Sequence, residues 1–139
     1  MKEQEGYNIK DLKVGMSDSM SKTVTEADIV LYSGITGDFN PIHVDEEYAQ
    51  TTAFKGRIAH GMVSAGFISA VLAMKLPGPG SIYLGQTLQF KAPVRIGDTV
   101  TTTVTITEIK LEKKIVILET TCAIKGDVVV TGNSTMMKP

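Results

Sequence analysis

Between Gly61 and Lys75 the chain is almost continuously apolar: Met62, Val63, Ala65, Phe67, Ile68, Ala70, Val71, Leu72, Ala73 and Met74, relieved by Ser64, Gly66 and Ser69. The stretch reads as a helix. A surface helix carries a polar stripe. Here Ser64 and Ser69 are all that is available for one, so the helix is expected to be enclosed by other structure. Pro77-Gly78-Pro79-Gly80 stops it. A second helix is expected upstream. Thr25 is a good N-cap, Glu26 and Asp28 place negative charge in the first turn, and Ile29, Val30, Tyr32, Ser33 and Ile35 supply an apolar face. Gly34 and Gly37 weaken or end it.

After Ser81 the pattern changes to strands. Ile82, Leu84, Thr87, Leu88 and Phe90 lead to Pro93. Val100 to Ile109 alternates Thr and Val, Glu112-Lys113-Lys114 makes a turn, Ile115 to Ile124 is the next strand, Lys125-Gly126-Asp127 turns again, and Val128 to Met137 is the last. Long strands joined by tight turns predict an antiparallel meander. Asp11 to Val24 reads as a lead-in followed by a short strand, on a weaker signal. The order is a strand, helices, then strands, with no linker and no internal repeat. That is an α+β domain with helices on one side of an antiparallel sheet. Residues 1–139 are read as a single domain, with 1–12 as its lead-in segment.

Bulk properties narrow the function. A chain of 139 residues fits one domain of ordinary size, and 42% apolar with 21% charged residues is a globular composition. Lys plus Arg number 14 and Asp plus Glu 15, so no basic field is present to hold nucleic acid. The fourteen residues from Gly61 to Met74 are too short to span a bilayer, and Met1 to Lys10 lacks the apolar core of a signal peptide. The single cysteine, Cys122, cannot form an internal disulfide and sits in a β-branched run, as a small buried hydrophobe would. The expectation is a soluble, cytoplasmic protein that contacts neither nucleic acid nor membrane.

The candidate chemistry lies in Gly37-Asp38-Phe39-Asn40-Pro41-Ile42-His43. Asn40-Pro41 breaks a helix, because the residue before proline is pushed out of the α region. A turn must therefore bring Asp38 and His43 together. Val44 to Ala49 follows as a short helical turn with Asp45 near its start. An Asp and a His that meet can share one water, with proton transfers typically contributing about a hundred- to ten-thousand-fold in rate. By itself an Asp-x₄-His spacing is more often a capped turn and a satisfied loop histidine.

The wider string changes that balance. Tyr32-Ser33-Gly34-Ile35-Thr36-Gly37-Asp38-Phe39-Asn40-Pro41-Ile42-His43, followed by Ala49, resembles the hydratase-2 motif of the R-specific enoyl-CoA hydratases, in the MaoC-like dehydratase family. Phe54-Lys55-Gly56-Arg57-Ile58-Ala59-His60-Gly61-Met62 resembles that family's approach to its central helix. Gly80 to Gln86, Phe90 to Val94 and Val94 to Thr99 with Gly97-Asp98 resemble its following strands and turn, so the similarity runs from about Met16 to the C-terminus. It implies a hot-dog fold, with an antiparallel sheet wrapped around a long apolar helix. It also implies that Asp38 and His43 are the catalytic pair and that Asn40 holds the loop and helps orient the water. Gly61 would offer its backbone N–H to the thioester carbonyl. That last role makes physical sense, because a first-turn N–H lacks an intrahelical partner and lies at the positive end of the dipole. The implied reaction is syn addition of water to a trans-2-enoyl-CoA giving an R-3-hydroxyacyl-CoA, or the reverse, in a homodimer or higher oligomer without cofactor or metal.

Tyr32, Phe39, Phe67, Met62 and Ala65 are candidates to meet the acyl group, and such residues are more often simply core. Ser64, Ile68 and Leu72 are candidates to limit its length. Arg57, Lys55 and Lys91 are candidates for the coenzyme A phosphates, weighed against ordinary solvated surface. His60 reads as a hydrogen-bonded support for the loop. The carrier is left open between coenzyme A and acyl carrier protein. Competing readings are a non-catalytic acyl-CoA-binding module on the same fold, a hot-dog thioesterase and a metalloenzyme. The last is poorly supplied with ligands by two histidines and one cysteine.

Overall fold

The computed structural model describes residues 5–139. The first four residues of the expected lead-in lie outside the described residues. The strands are β1 (Ser17–Thr23), β2 (Ile82–Gln86), β3 (Gln89–Phe90), β4 (Thr99–Lys110), β5 (Ile115–Ile124) and β6 (Asp127–Met137). The α-helices are α1 (Glu26–Thr36), α2 (Pro41–Val44), α3 (Glu46–Gln50) and α4 (Gly61–Met74).

All strand pairings are antiparallel, in the order β1-β4-β5-β6-β2, with β3 also on β6. The meander expected from Val100 onward is β4-β5-β6. The weak N-terminal strand adds to its open β4 side, and β2 with β3 closes the other. Alternation sets the faces: Val100, Thr102, Val104 and Ile106 of β4 and Val116, Leu118, Thr120 and Cys122 of β5 are buried, with more exposed residues between them. Register shifts near Leu84, Thr107 and Val129 are bulges that bend their strands and raise the local twist. They help the sheet curl.

The single strand suggested by Ser81 to Phe90 is two strands with a kink between them. Thr87 accounts for it. Its N–H donates to the Asn133 carbonyl at 2.9 Å, and its Oγ1 accepts from the Asn133 N–H at 3.0 Å. Its own carbonyl presses on Gly132, where a Cβ would lie 1.8 Å from that oxygen. Only glycine admits so close a backbone.

Helix α4 lies across β1, β4 and β5. A curved sheet laid around one helix is the hot-dog arrangement. Val63, Ser64, Ile68, Val71 and Leu72 of α4 are buried at helical spacing against the strands. Enclosure is incomplete within one chain, however: Met62 is 50% exposed and Met74 68%. The expected enclosure of α4 is therefore met along its buried face and not at Met62 and Met74. The lead-in is part of the core, since Ile9 and Leu12 are buried in it and the Tyr7 N–H donates to the Pro77 carbonyl at 3.1 Å. Among the described residues no helix is long and apolar enough to cross a membrane.

Ile68 is fully buried where α4 meets the sheet. Ile68→Ala is expected to lower unfolding free energy by about 2–5 kcal/mol, read from denaturant titration.

Candidate active site

The site is assembled by the segment after α1. Thr25 caps α1 through a capping box: its Oγ1 accepts from the Asp28 N–H at 3.2 Å and its own N–H donates to Asp28 Oδ2 at 2.9 Å. Gly37, with φ 81°, closes the helix by donating its N–H to the Ser33 carbonyl at 2.8 Å. Two side chains then fold the chain back on itself. Asp38 Oδ1 accepts from the Asn40 N–H, and Asn40 Oδ1 from the Ile42 N–H, each at 3.2 Å.

Gly37 has already ended α1, and Asn40-Pro41, expected only to break a helix, begins α2. Asn40 is the N-cap and Pro41 the first helical residue, where a missing N–H costs nothing and the fixed φ is already helical. His43 thus stands on one turn of helix. Its Nδ1–H donates to the Ile58 carbonyl at 2.8 Å. The neutral ring therefore carries its proton on Nδ1 and presents Nε2 as a base. The Ile58 N–H in turn donates to the Ile42 carbonyl at 3.3 Å, and the Ala59 N–H to the Val94 carbonyl at 2.7 Å. Residues 58–59 thereby join the α2 turn to the segment leading into β4.

His60 touches both members of the expected pair. Its Nε2–H donates to the Asp38 carbonyl at 3.0 Å and lies 3.1 Å from Ser33 Oγ. Its ring stacks on that of His43, with centroids 3.9 Å apart at 30°, and Tyr32 packs against it at 4.5 Å. Its Nδ1 is buried with no partner. Burial first, and then the neighbouring His43, hold its pKa below the ordinary imidazole value against the opposing pull of Asp38. His60 is a support for the loop, as its position before α4 suggested. Its contacts with both residues are visible only in three dimensions.

Asp38, His43 and His60 each bring a donor atom within 4.8 Å of the others. His43 Nδ1 and His60 Nε2 already donate to carbonyls, which leaves one nitrogen on each ring, and that of His60 is buried. The trio suits proton transfer better than metal binding.

A cavity of ≈ 420 Å³ opens beside the trio, lined by His43, Phe54, Gly61, Met62, Ser64 and Phe90 among others. Its wall is largely apolar. Gly61 and Met62, the first residues of α4, line this cavity, and the first amides of a helix lack intrahelical partners. A Cβ on Gly61 would lie 2.7 Å from the Phe90 ring. Gly61 thus leaves room for a ring against the helix start, a contact that nothing in the local sequence signals.

Of the residues singled out beforehand, Asp38, Asn40, His43 and Gly61 gather at one end of α4. Met62 lines the cavity. Tyr32 backs His60, Phe39 is 58% exposed and Ala65 lies half-buried on α4, and these three do not line it. Lys91 lines the cavity and Lys55 is exposed. Arg57 is turned inward. Its Nε donates to the His43 carbonyl at 2.6 Å and its other nitrogens to Glu26 at 2.8 and 2.9 Å, so it is committed within the protein and unavailable to a phosphate.

A curled antiparallel sheet laid around a helix that starts at glycine, with an Asp/His cluster beside an apolar cavity, places the chain among hot-dog proteins with a candidate acid–base site. The MaoC like domain family matches residues 11–127, and the chain belongs to that family. It is 61% identical to the (R)-specific enoyl-CoA hydratase of Rhodospirillum rubrum, over 96% of this chain and 92% of that protein. It is 45% identical to the 3-hydroxybutyryl-CoA dehydratase of Methylorubrum extorquens, over 94% and 83%. The solved structure of the (R)-hydratase from Aeromonas caviae involved in PHA biosynthesis superposes with a TM-score of 0.90 at 41% identity, over 94% of this chain and 99% of that one.

Because the folded state resists protonating His60, the unfolded chain binds more protons below its ordinary pKa of about 6.5. This contribution to stability is fully present above that value and is lost as pH falls below it toward the depressed folded pKa. Urea midpoints should decline over that window in the wild type, and the decline should be shallower in His60→Phe.

Proposed function

We propose that the chain is an R-specific enoyl-CoA hydratase, a hydro-lyase that adds water to trans-2-enoyl-CoA and equally catalyses the reverse dehydration. The observation that carries this reading is the convergence of the Asp38 carboxylate and the His43 ring next to an apolar cavity whose wall includes Gly61. The names of the two curated relatives support the same chemistry in both directions.

In the proposed reaction one water lies between Asp38 and His43, steered by the loop that Asn40 caps. His43 Nε2 takes a proton from it as the water oxygen bonds to C3 of the enoyl chain. The C2–C3 π pair moves to C2, and negative charge gathers on the thioester oxygen. The Gly61 N–H meets that charge, at a position where a preplaced donor typically contributes about 2.7–4 kcal/mol. The imidazolium, stabilised by Asp38, returns its proton to C2. Hydroxyl and proton then arrive from one side, which gives syn addition and restores the resting pair. Met62 forms part of the acyl wall, and Tyr32 acts behind it through His60.

The molecule is read as a homodimer. Met62 and Met74 on α4 and Ile82 and Leu84 on the outermost strand β2 are large, apolar and 48–68% exposed in one chain. An open edge strand that carries exposed apolar residues such as Ile82 and Leu84 is a natural seam for edge-to-edge pairing across a twofold axis. The buried thiol of Cys122 suits a reducing, cytosolic setting.

Asp38→Ala and His43→Ala should each lower kcat for crotonyl-CoA hydration by about a hundred- to ten-thousand-fold, followed as loss of enoyl-thioester absorbance. Unchanged hydration in both would end this reading, and release of free coenzyme A at the hydration rate would make the protein a thioesterase. Sedimentation should give about twice the chain mass of 14.9 kDa, and Leu84→Arg should shift it toward monomer.

A further inference from the structure

We infer that Arg57 is the positioning residue of His43 and that Glu26 aims it. This rests on His43 being the acid–base group proposed above. The turn that carries His43 is only four residues long. So short a helix has almost no stability of its own, and its last carbonyls have no intrahelical donors. Asn40 holds one end of it. Arg57 holds the other, since its Nε donates to the carbonyl of His43 itself at 2.6 Å.

The next residue completes the grip, because the Ile58 carbonyl accepts from the His43 ring at 2.8 Å. Consecutive residues thus fix the backbone and the imidazole of one side chain. Arg57 is itself fixed. Nη1 and Nη2 donate to the two carboxylate oxygens of Glu26 at 2.8 and 2.9 Å, and its backbone N–H donates to Glu46 Oε2 at 3.1 Å. One residue therefore ties the start of α1, the end of α2 and the start of α3. A planar guanidinium can serve a carbonyl through Nε and a carboxylate through its other nitrogens at once, and an ammonium cannot. Arg57 does not line the cavity, and its side chain is only 15% exposed. Its influence on turnover runs through His43 alone.

The test compares full-length wild type with Arg57→Ala, Arg57→Lys, Glu26→Gln and Glu26→Gln/Arg57→Ala, with His43→Ala as control, in steady-state hydration of crotonyl-CoA. Arg57→Ala should lose about ten- to a hundredfold in kcat with KM unchanged, the scale expected when a reacting group is displaced by about an ångström. Glu26→Gln should lose less, and the double variant no more than Arg57→Ala, because Glu26 acts only through Arg57. Arg57→Lys should recover part of the loss. A lower melting temperature with wild-type kcat in folded Arg57→Ala overturns the proposal, and so do losses that multiply in the double variant. Should Arg57→Ala not fold, wild-type kcat in both Arg57→Lys and Glu26→Gln overturns it. Full turnover by His43→Ala would instead remove the catalytic reading itself, a distinct result.

Discussion

Ile68, Val71 and Leu72 of α4 press into the concave face of a sheet that bulges help to curl. Each fully buried side chain of this size contributes on the order of 1.5–3 kcal/mol. That packing fixes the axis and the N-terminus of α4, and the site hangs on the position of that N-terminus. His60 immediately precedes the helix, Ile58 and Arg57 precede His60, and these residues reach back to hold Asp38 and His43. A shift of α4 along the sheet would move the amide at Gly61 and the supports of Asp38 and His43 together. The Gly61 amide and the groups that hold His43, the proton carrier of the proposed reaction, thus lie together on the short segment 57–61.

That mounting divides labour between two histidines that stack face to face. His43 uses Nδ1 to bond a carbonyl and keeps Nε2 free at the cavity. His60 is enclosed and held neutral, and it bonds the Asp38 carbonyl. Identical side chains thus take different parts in the proposed reaction, His43 as reacting group and His60 as support, because their surroundings differ. The apolar cavity beside them strengthens any hydrogen bond made within it, since fewer water dipoles compete there.

Much of the architecture was legible in the sequence because it is local. Thr25 as N-cap with Glu26 and Asp28 behind it announces the start of α1, Thr/Val alternation announces β4, and Lys125-Gly126-Asp127 announces the turn between β5 and β6. The family motif from Tyr32 to His43 and the His60-Gly61-Met62 sequence marked the segment that bears the site. Less legible was whatever depends on partners distant along the chain. Arg57 looked like a candidate for phosphate until Glu26, 31 residues away, was found to occupy its guanidinium. The kink at Thr87 follows from Gly132 beneath it, a residue on another strand. Residues 41–44 form a helical turn instead of a simple break because tertiary bonds from Ile58 and Arg57 sustain it.

By itself, then, the sequence determined the order of helices and strands, the alternation that gives each strand its inner face, and the identity of the residues able to move a proton. These follow from backbone preferences and side-chain chemistry that act over a few residues. The tertiary structure decided which nitrogen of His43 is free, that His60 lies neutral against it, that Phe90 leans on Gly61, and that α4 keeps a bare apolar face. Those outcomes depend on hydrogen bonds and contacts between segments far apart in the chain, and such contacts exist only once burial has brought the segments together.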